Sequence, residues 1–332
     1  MSNRAITTLV LGMHRSGTSL LAEALHAGGM SLAGQLVEDN KEVNARGFWE
    51  DAQVVQINEQ LFHILHSSWY DIGDLPHNWL NQKPVQEQLS SAISYIEEQY
   101  GNKDLAVLKD PRLCRLLPFW VAAFRAADIE LRCVIITRSP SAVAKSLLRR
   151  NSLPQSYSHL LWARYMKDAV HFSKGMTRCL VDYDALLESP AEVLVSVFRQ
   201  LKLESPDWGN NLETIVDSSL RHHFNEADVS AEDELSARVR DYYLRLGKGD
   251  FSSAEEPENL LPNWATIALV DLANTVVSNY SEQIRVGDLH SQALKTVAQR
   301  DREIEHLTEL YQHAESVVRE RDLQLSELIH SL

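Results

Sequence analysis

The chain has 332 residues, of which 44% are hydrophobic, enough to build one large α/β domain or two smaller domains. Its 32 basic and 46 acidic side chains give a net charge of -14. Such an acidic chain repels nucleic acid and anionic membrane surfaces in general, so we expect neither of them as a partner. Any anion that it binds must be held by a local basic pocket.

The number of cysteines and the length of the apolar runs indicate the cellular compartment. Cys114, Cys133 and Cys179 are too few and too scattered for a disulfide framework or a zinc site, and their apolar neighbours indicate buried, reduced thiols. The N-terminal apolar run is too short for a signal peptide, and no later run approaches the ~20 apolar residues of a membrane helix. We therefore expect a cytoplasmic protein without a membrane span.

The first third of the chain predicts strands that alternate with helices. Residues 5–11 form a short apolar run typical of a buried parallel strand, and helical spacing follows at Thr18–Ala27, up to the glycine pair Gly28-Gly29. Four further elements follow in chain order: helices at 51–65 and 84–100, a strand through 106–108, and a helix at 116–127.

The alternation continues as far as Leu201. The predicted elements are a strand at 131–137, helices at 141–150 and 157–173, a strand at 178–183, and a helix at 191–201. This order predicts an α/β fold, a P-loop-like parallel sheet flanked by helices, which binds ligands at the carboxyl ends of its strands. Charged clusters fall at those ends: His14-Arg15, Lys109-Asp110 and Arg138.

From about residue 211 the pattern becomes mostly helical and polar, and the last segment carries a seven-residue repeat. The repeat consists of Val297, Ile304, Tyr311, Val318, Leu325 and Leu332. It predicts a coiled coil, weakened by Arg300 and Arg321 at core-type positions, or else a single long helix docked on the globular part. We predict a core at 1–210, a helical remainder of the same domain at 211–284, and a long helix or coiled coil at 285–332 for self-association or partner binding.

A glycine loop joins the first strand to the first helix. In GMHRSGTS, Gly12 and Gly17 stand five apart, so the loop can curl until successive backbone N–H groups converge on an anion. Thr18 and Ser19 can donate to the same phosphate. The loop resembles the P-loop of ATPases, except that Thr18 replaces the lysine that reaches the β- and γ-phosphates. We interpret it as a phosphate cradle rather than an ordinary tight turn.

A second basic site follows the strand at 131–137. Arg138 stands at its end, in place of an aspartate suited to magnesium, and Ser146 lies two turns into the next helix. A guanidinium can grip a phosphate dianion with two hydrogen bonds, and the hydroxyl can add a third. Alone, an Arg-Ser-Pro strand end is commonly a surface turn. Together with the cradle, it predicts a ligand with two separated phosphates and no need for a metal.

These segments resemble the sulfotransferases that use 3′-phosphoadenosine 5′-phosphosulfate (PAPS), over residues 5–203. HRSGTS is similar to their 5′-phosphosulfate loop and RSPSAVAKS to their 3′-phosphate motif. LKDPR and LVDYDALLESP resemble segments of the branch that contains tyrosylprotein and many bacterial sulfotransferases. The resemblance implies that PAPS is bound by His14, Arg15, Ser16, Gly17, Thr18, Ser19, Arg138, Ser146 and Tyr183. A donor without a γ-phosphate needs no P-loop lysine.

The resemblance also implies the catalytic residues. Glu50, in NARGFWED, occupies a place comparable to that of the family's catalytic glutamate and is predicted as the base for the acceptor hydroxyl. Its alternative role is to cap the following helix, for which Asp51 is the nearer rival. His63 and His66 are the other candidates for the base. Lys109 is implied to stabilise the leaving phosphate oxygen, unless it is a solvated lysine at a strand end.

The acceptor side is less specified. Asp110 and Arg112 are predicted to contact the acceptor or to support the catalytic residues. Four tryptophans are either stacking surfaces for a sugar ring or packing residues: Trp49, Trp69, Trp79 and Trp162. The polar stretch at 67–79 is a candidate acceptor loop.

The sequence thus predicts an enzyme that moves a sulfuryl group from PAPS to an acceptor hydroxyl on a glycan, without a metal. One alternative is a P-loop kinase-like phosphotransferase that uses ATP, which the missing lysine and metal aspartate disfavour. Another is a coiled-coil scaffold with a degenerate nucleotide domain, which predicts the loss of reactive residues. Those residues are all present: Arg15, Lys109, Arg138 and Ser146.

Overall fold

The computed structural model describes residues 4–37, 47–206 and 234–247, together with Phe251 and Arg300. The chain divides into two units, Met1–Val270 and Asp271–Leu332, and the elements below belong to the first. Four strands form one parallel sheet in the order β2-β1-β3-β4. They are β1 (Ile6–Leu11), β2 (Leu105–Lys109), β3 (Glu130–Thr137) and β4 (Thr177–Asp182).

Helices connect and cover the strands. In chain order they are α1 (Thr18–Ala27), α2 (Ala52–Ile64), α3 (Lys83–Tyr100), α4 (Leu113–Ala126), α5 (Pro140–Asn151), α6 (Gln155–Phe172), α7 (Tyr183–Glu188), α8 (Pro190–Gln200) and α9 (Glu234–Gly247). A short 3-10 turn at Trp79–Asn81 precedes α3. Prolines in the first turns of α3, α5 and α8 suit positions whose backbone N–H has no intrahelical partner.

The structure confirms the predicted parallel sheet flanked by helices. Leu9, Val10 and Leu11 in β1 are fully buried, as expected for a central strand covered on both faces. The three cysteines are buried and free, as predicted. Apart from Arg300, the predicted coiled coil lies outside the described residues, as do the predicted boundaries at 210/211 and 284/285.

Two differences from the sequence prediction bear on the candidate site. Helix α4 begins at Leu113, three residues earlier than predicted, because Asp110 organises the preceding turn: its carboxylate accepts from the backbone N–H of Arg112 at 2.9 Å. Helix α7 was not predicted. Asp182 caps it by accepting from two backbone N–H groups at 3.0 Å each, so the chain turns into a helix at Tyr183 directly after β4.

The sheet order brings the charged strand ends together. Strand β1 lies between β2 and β3, with Val10 paired to Lys109 and Leu11 paired to Ile135. The chain leaves β1 towards β2 on one side, whereas β3 and β4 lie on the other side. Such a reversal of strand order opens a crevice at the carboxyl ends of the central strands. The loops that carry Arg15, Asp110 and Arg138 begin at this edge.

Asp51 holds the start of α2 and ties it to α3. It is 3% exposed, and its carboxylate accepts from the backbone N–H of Gln53 at 3.0 Å and Val54 at 3.2 Å. The hydroxyls of Tyr95 and Tyr100 donate to the same carboxylate at 2.8 and 3.0 Å. Burial raises the pKa of Asp51, against the lowering effect of these hydrogen bonds.

We expect Asp51→Ala to lower the free energy of unfolding by about 2–4 kcal/mol, because it removes a helix cap and the acceptor of two tyrosine hydroxyls, that of Tyr100 being buried. Urea denaturation monitored by circular dichroism measures the loss. Asp51→Asn is the matched control, since it keeps one oxygen acceptor and should lose less. Equal stability of Asp51→Ala and the wild type would contradict the assignment of Asp51 as an anchor.

Candidate active site

The cradle lies between β1 and α1. Gly17 precedes α1 in the left-handed conformation with φ 90°, and Arg15 has φ 70°, so the loop curls before the helix begins. The backbone N–H of Ser16 donates to Met13 O at 3.1 Å and closes this turn. The first N–H groups of a helix have no intrahelical acceptor, and their dipoles favour an anion. Ser16 Oγ is buried and has no hydrogen-bond partner among the described residues.

Tyr183 packs directly under the cradle. A Cβ atom added to Gly17 would overlap the Tyr183 ring. The Arg138 guanidinium lies 4.4 Å above the centroid of the same ring, a cation–π contact. Because Tyr183 starts α7 at the end of β4, the unpredicted helix places this ring where β3 and the cradle meet. The structure thus brings the predicted Gly17, Arg138 and Tyr183 together.

Gly17→Ala should weaken the binding of adenosine 3′,5′-bisphosphate at least about tenfold, because the methyl group would displace Tyr183 from the cradle. Gly29→Ala is the matched control. Gly29 also has a positive φ, 93° against 90° for Gly17, but nothing lies within 4 Å of its added Cβ. Both variants share a backbone strain of about 1–2 kcal/mol. The overlap with Tyr183 adds about 1–3 kcal/mol in Gly17→Ala alone, so its melting temperature should fall further.

Isothermal titration calorimetry separates the two glycine variants. Binding lost in Gly17→Ala and retained in Gly29→Ala would support the close packing of Tyr183 as a requirement of the cradle. Equal affinities in the two variants would contradict it.

The second basic site contacts the cradle itself. Arg15 Nε donates to Ser146 Oγ at 2.9 Å, and Arg138 donates to the backbone oxygen of Arg15 at 3.3 Å. Ser146 therefore contacts Arg15 rather than Arg138. Neither guanidinium forms a salt bridge with a carboxylate in the part of the chain that the structure describes. In a chain of net charge -14, these two guanidiniums form a local concentration of positive charge.

Two arginines that the sequence analysis did not single out extend this basic site. Burial lowers the pKa of Arg15, and the positive charges of Arg150, Arg138 and Arg149 lower it further. Arg149 and Arg150 lie exposed in the last turn of α5. The available signal was spacing: Arg150 follows Ser146 by four residues, so both lie on one face of α5.

Glu50 and Lys109 form a close ion pair beside the cradle. Lys109 Nζ lies 2.6 Å from Glu50 Oε1, and the two side chains are 3% and 10% exposed. The same nitrogen donates to Phe48 O at 2.9 Å and to Ser19 Oγ at 3.2 Å. Ser19 stands in the first turn of α1, so this contact joins the cradle to the pair.

Asp110 and Arg112 support the ion pair. The Arg112 guanidinium lies 3.7 Å from Glu50 Oε2, 2.9 Å from Asp110 Oδ1 and 2.5 Å from Glu59 Oε1. Asp110 is fully buried, and its second oxygen accepts from Asn58 at 2.8 Å. Both Asp110 oxygens are thus committed to holding Arg112 and α2. Asn58 was not predicted; its position in the sequence, a lone amide on a buried helix face, was the only signal.

His14 lies at the junction of the cradle and the predicted acceptor loop. Its ring centroid is 4.7 Å from that of Trp69 and 5.9 Å from that of Tyr165. Burial lowers the pKa of His14 well below its usual value, and the charges of Arg112 and Arg150 lower it further, so the ring is neutral at pH 7. Its Nε2 is buried and has no hydrogen-bond partner among the described residues.

The rival candidates for the base lie elsewhere. His63 and His66 are exposed, and His63 stands near the far end of α2, about 17 Å along the helix axis from its start. Asp51, not Glu50, caps α2. Capping is therefore not the role of Glu50, and the structure instead sets it against Lys109.

The tryptophans divide between packing and the crevice. Trp162 is fully buried and Trp79 is 8% exposed, so both are packing residues. Trp69 is half-buried beside His14 at the crevice. Trp49 is also half-buried, but it packs against the hydrophobic core and lies 5.8 Å from His26 between ring centroids. The loop at 67–79 is fastened by α6, because Tyr165 and Tyr157 donate to its backbone oxygens.

Two solved structures similar to the chain are sulfotransferase domains. The domain from the Synechococcus PCC 7002 olefin synthase is 16% identical, with a TM-score of 0.45, over 74% of this chain and 96% of that domain. The domain from the curacin biosynthetic pathway is 13% identical, with a TM-score of 0.41, over 73% of this chain and 99% of that domain. No protein-family model and no curated protein sequence matches the chain.

Membrane spans and metal sites are the last two features that the sequence prediction concerns. Among the described helices, none is long and apolar enough to cross a membrane. Within the same residues, no three His, Cys, Asp or Glu side chains come together as ligands for a metal ion.

Proposed function

We propose that the protein is a sulfotransferase that moves a sulfuryl group from PAPS to an acceptor hydroxyl. The observation that carries this proposal is the contact between three parts of the crevice. Arg15 joins the cradle to Ser146 at 2.9 Å, and Ser19 joins the cradle to Lys109 at 3.2 Å. Two anion sites beside one carboxylate–ammonium pair suit a nucleotide with two separated phosphates and a reacting group between base and cation.

The residues present fit PAPS. When bound, PAPS supplies a sulfuryl group activated by its anhydride bond to the 5′-phosphate. The backbone N–H groups of the cradle, with Ser16 and Thr18, would hold that 5′-phosphate, and the orphaned Ser16 hydroxyl supports this. The arginine cluster, which consists of Arg15, Arg138, Arg149 and Arg150, would hold the 3′-phosphate together with Ser146. Arg15 and Arg138 form no salt bridge within the described residues, so their charge suits a phosphate. Glu50 would take the acceptor proton and Lys109 would stabilise the charge on the leaving oxygen.

The site favours PAPS over ATP. Thr18 is 4% exposed and stands where a kinase P-loop has its lysine. Strand β3 ends at Thr137 and Arg138, without the aspartate that holds magnesium in P-loop enzymes. The carboxylates at the neighbouring strand ends are already engaged. Asp182 caps α7 and accepts from the Tyr243 hydroxyl, and Asp110 is paired with Arg112 and Asn58. A kinase-like activity therefore lacks the groups that its chemistry needs in this crevice.

We further propose a carbohydrate acceptor. Trp69 is half-buried at the crevice, and Tyr165 fixes it there by donating to its backbone oxygen at 2.6 Å. A fixed aromatic ring offers a flat apolar face of the kind on which the C–H groups of a sugar can pack, beside the neutral ring of His14. The hydroxyl groups of the same sugar would then approach Glu50.

Nucleotide binding tests the proposal without any acceptor. Calorimetry should show that adenosine 3′,5′-bisphosphate binds at least about tenfold more tightly than adenosine 5′-phosphate, because the arginine cluster contacts only the former. The affinity should be unchanged by a chelator. Magnesium-dependent binding of ATP, with no affinity for adenosine 3′,5′-bisphosphate, would overturn the proposed function and favour the kinase.

A screen with sulfur-labelled donor tests the acceptor class. Glycans, tyrosine peptides and hydroxyl-bearing lipids are offered separately, and labelled product is counted. We expect label in the glycan set. Label confined to peptides or lipids would contradict the carbohydrate proposal and leave the sulfotransferase proposal intact.

A further inference from the structure

We propose that Glu50 and Lys109 act as a coupled pair, in which the proton taken up by Glu50 releases Lys109 to the leaving phosphate oxygen. This inference rests on the proposed function and goes beyond two independent roles. It starts from the three contacts of one atom. Lys109 Nζ lies 2.6 Å from Glu50 Oε1, 2.9 Å from Phe48 O and 3.2 Å from Ser19 Oγ.

The donor count at Lys109 is already complete. An ammonium group has three N–H donors, and three acceptors occupy them. The side chain is 3% exposed, so it cannot reach a new acceptor by swinging into bulk water. Lys109 can therefore donate to a leaving oxygen only after one of its three contacts breaks.

The contact with Glu50 is the one that the reaction can weaken. Ser19 stands in the first turn of α1, and its hydroxyl remains an acceptor whatever it donates to. Phe48 O belongs to a segment held by backbone hydrogen bonds at 2.8 Å from Val37 N to Glu50 O and from Ala52 N to Gln35 O. Only the Glu50 contact depends on a charge that the reaction changes.

The charges balance within the pair. The acceptor hydroxyl gives its proton to Glu50 as its oxygen bonds to sulfur. The bond between sulfur and the bridging oxygen breaks, and its electron pair stays on the 5′-phosphate oxygen. One negative charge thus disappears at Glu50 while one appears on that oxygen. Because neutral Glu50 no longer attracts the ammonium, Lys109 can donate to the new charge when it forms.

The test is a double-mutant cycle on the affinity for adenosine 3′,5′-bisphosphate, which presents the product 5′-phosphate. Glu50→Gln imitates protonated Glu50, so it should tighten binding about tenfold by releasing Lys109. Lys109→Met should weaken binding, and in that background Glu50→Gln should have no effect. Glu59→Gln is the matched control: it removes a carboxylate that also contacts Arg112 but not Lys109, and should leave the affinity within about twofold.

The outcomes are distinct. Tightening by Glu50→Gln that persists in Lys109→Met would show simple charge repulsion and overturn the coupling, as would no tightening at all. If Lys109→Met fails to fold, Glu50→Asp decides, because it keeps the charge and withdraws it from Lys109 by one methylene. Tightening in Glu50→Asp supports the coupling, and unchanged affinity overturns it. No affinity in the wild type would instead remove the proposed function.

Discussion

Glu50→Gln should reduce the rate of sulfuryl transfer by about 100- to 10,000-fold, the range that a positioned general base contributes. A neutral amide cannot take up the acceptor proton, and it holds Lys109 less tightly than the carboxylate does, while its shape is nearly the same. The measurement is single-turnover transfer from sulfur-labelled PAPS, which reports the chemical step without product release. Single turnover is essential, since tighter binding of the product nucleotide would slow release in the same variant.

The control for this prediction is again Glu59→Gln, at a carboxylate with a 48% exposed side chain, 2.5 Å from Arg112. It should keep transfer within about twofold of the wild type. Full single-turnover activity in Glu50→Gln would remove Glu50 from the role of base. Breaking this buried ion pair should also lower the melting temperature, so transfer is measured well below the melting temperature of the variant, where it remains folded.

The elements of the core were predictable because their signals are local. Apolar runs such as β1 and β3 fix buried strands, and the glycine-rich turn after β1 fixes the start of α1 at Thr18. Helix α7 was missed because a six-residue helix carries too few residues for a hydrophobic period to show. Its only local signal was the cap residue Asp182, whose carboxylate accepts hydrogen bonds from the backbone N–H groups two and three residues later.

The residues of the site were predictable one by one, but their partners were not. Arg138 and Ser146 were matched to each other by spacing, yet Ser146 contacts Arg15, which is 131 residues away in the chain. Glu50 and Lys109 are 59 residues apart, and only the parallel pairing of β1 with β2 brings Lys109 to the cradle. Distances of this kind depend on the sheet order, which the sequence pattern leaves open.

Arg115→Met should lower the free energy of unfolding by about 3–5 kcal/mol, as expected when one partner of a buried ion pair is removed. The Arg115 side chain is fully buried in α4, and its Nε lies 2.8 Å from Asp168 Oδ2 in α6, without the alignment of a hydrogen bond. Its other nitrogens donate to the backbone oxygens of Asp71 and Gly73. One side chain therefore joins two helices and the candidate acceptor loop, and urea denaturation measures its loss.

The stability deficit of Arg115→Met should depend on pH. Burial raises the pKa of Asp168, while Arg164 and Arg115 lower it, so removal of Arg115 raises that pKa further. Between the unfolded pKa of about 3.9 and the raised folded value, the native state holds a proton that the unfolded chain has lost, and stability falls as pH rises. The deficit relative to the wild type should therefore be smaller at about pH 5 than at about pH 8.

The double variant Arg115→Met with Asp168→Asn separates the carboxylate from the loop contacts. Without a buried charge to protonate, it should regain part of the lost stability at neutral pH and show no extra pH dependence. A deficit in Arg115→Met that stays constant with pH would assign the loss to the unsupported oxygens of Asp71 and Gly73 instead. In that case Arg115 stabilises the acceptor loop more than it stabilises the packing of α4 on α6.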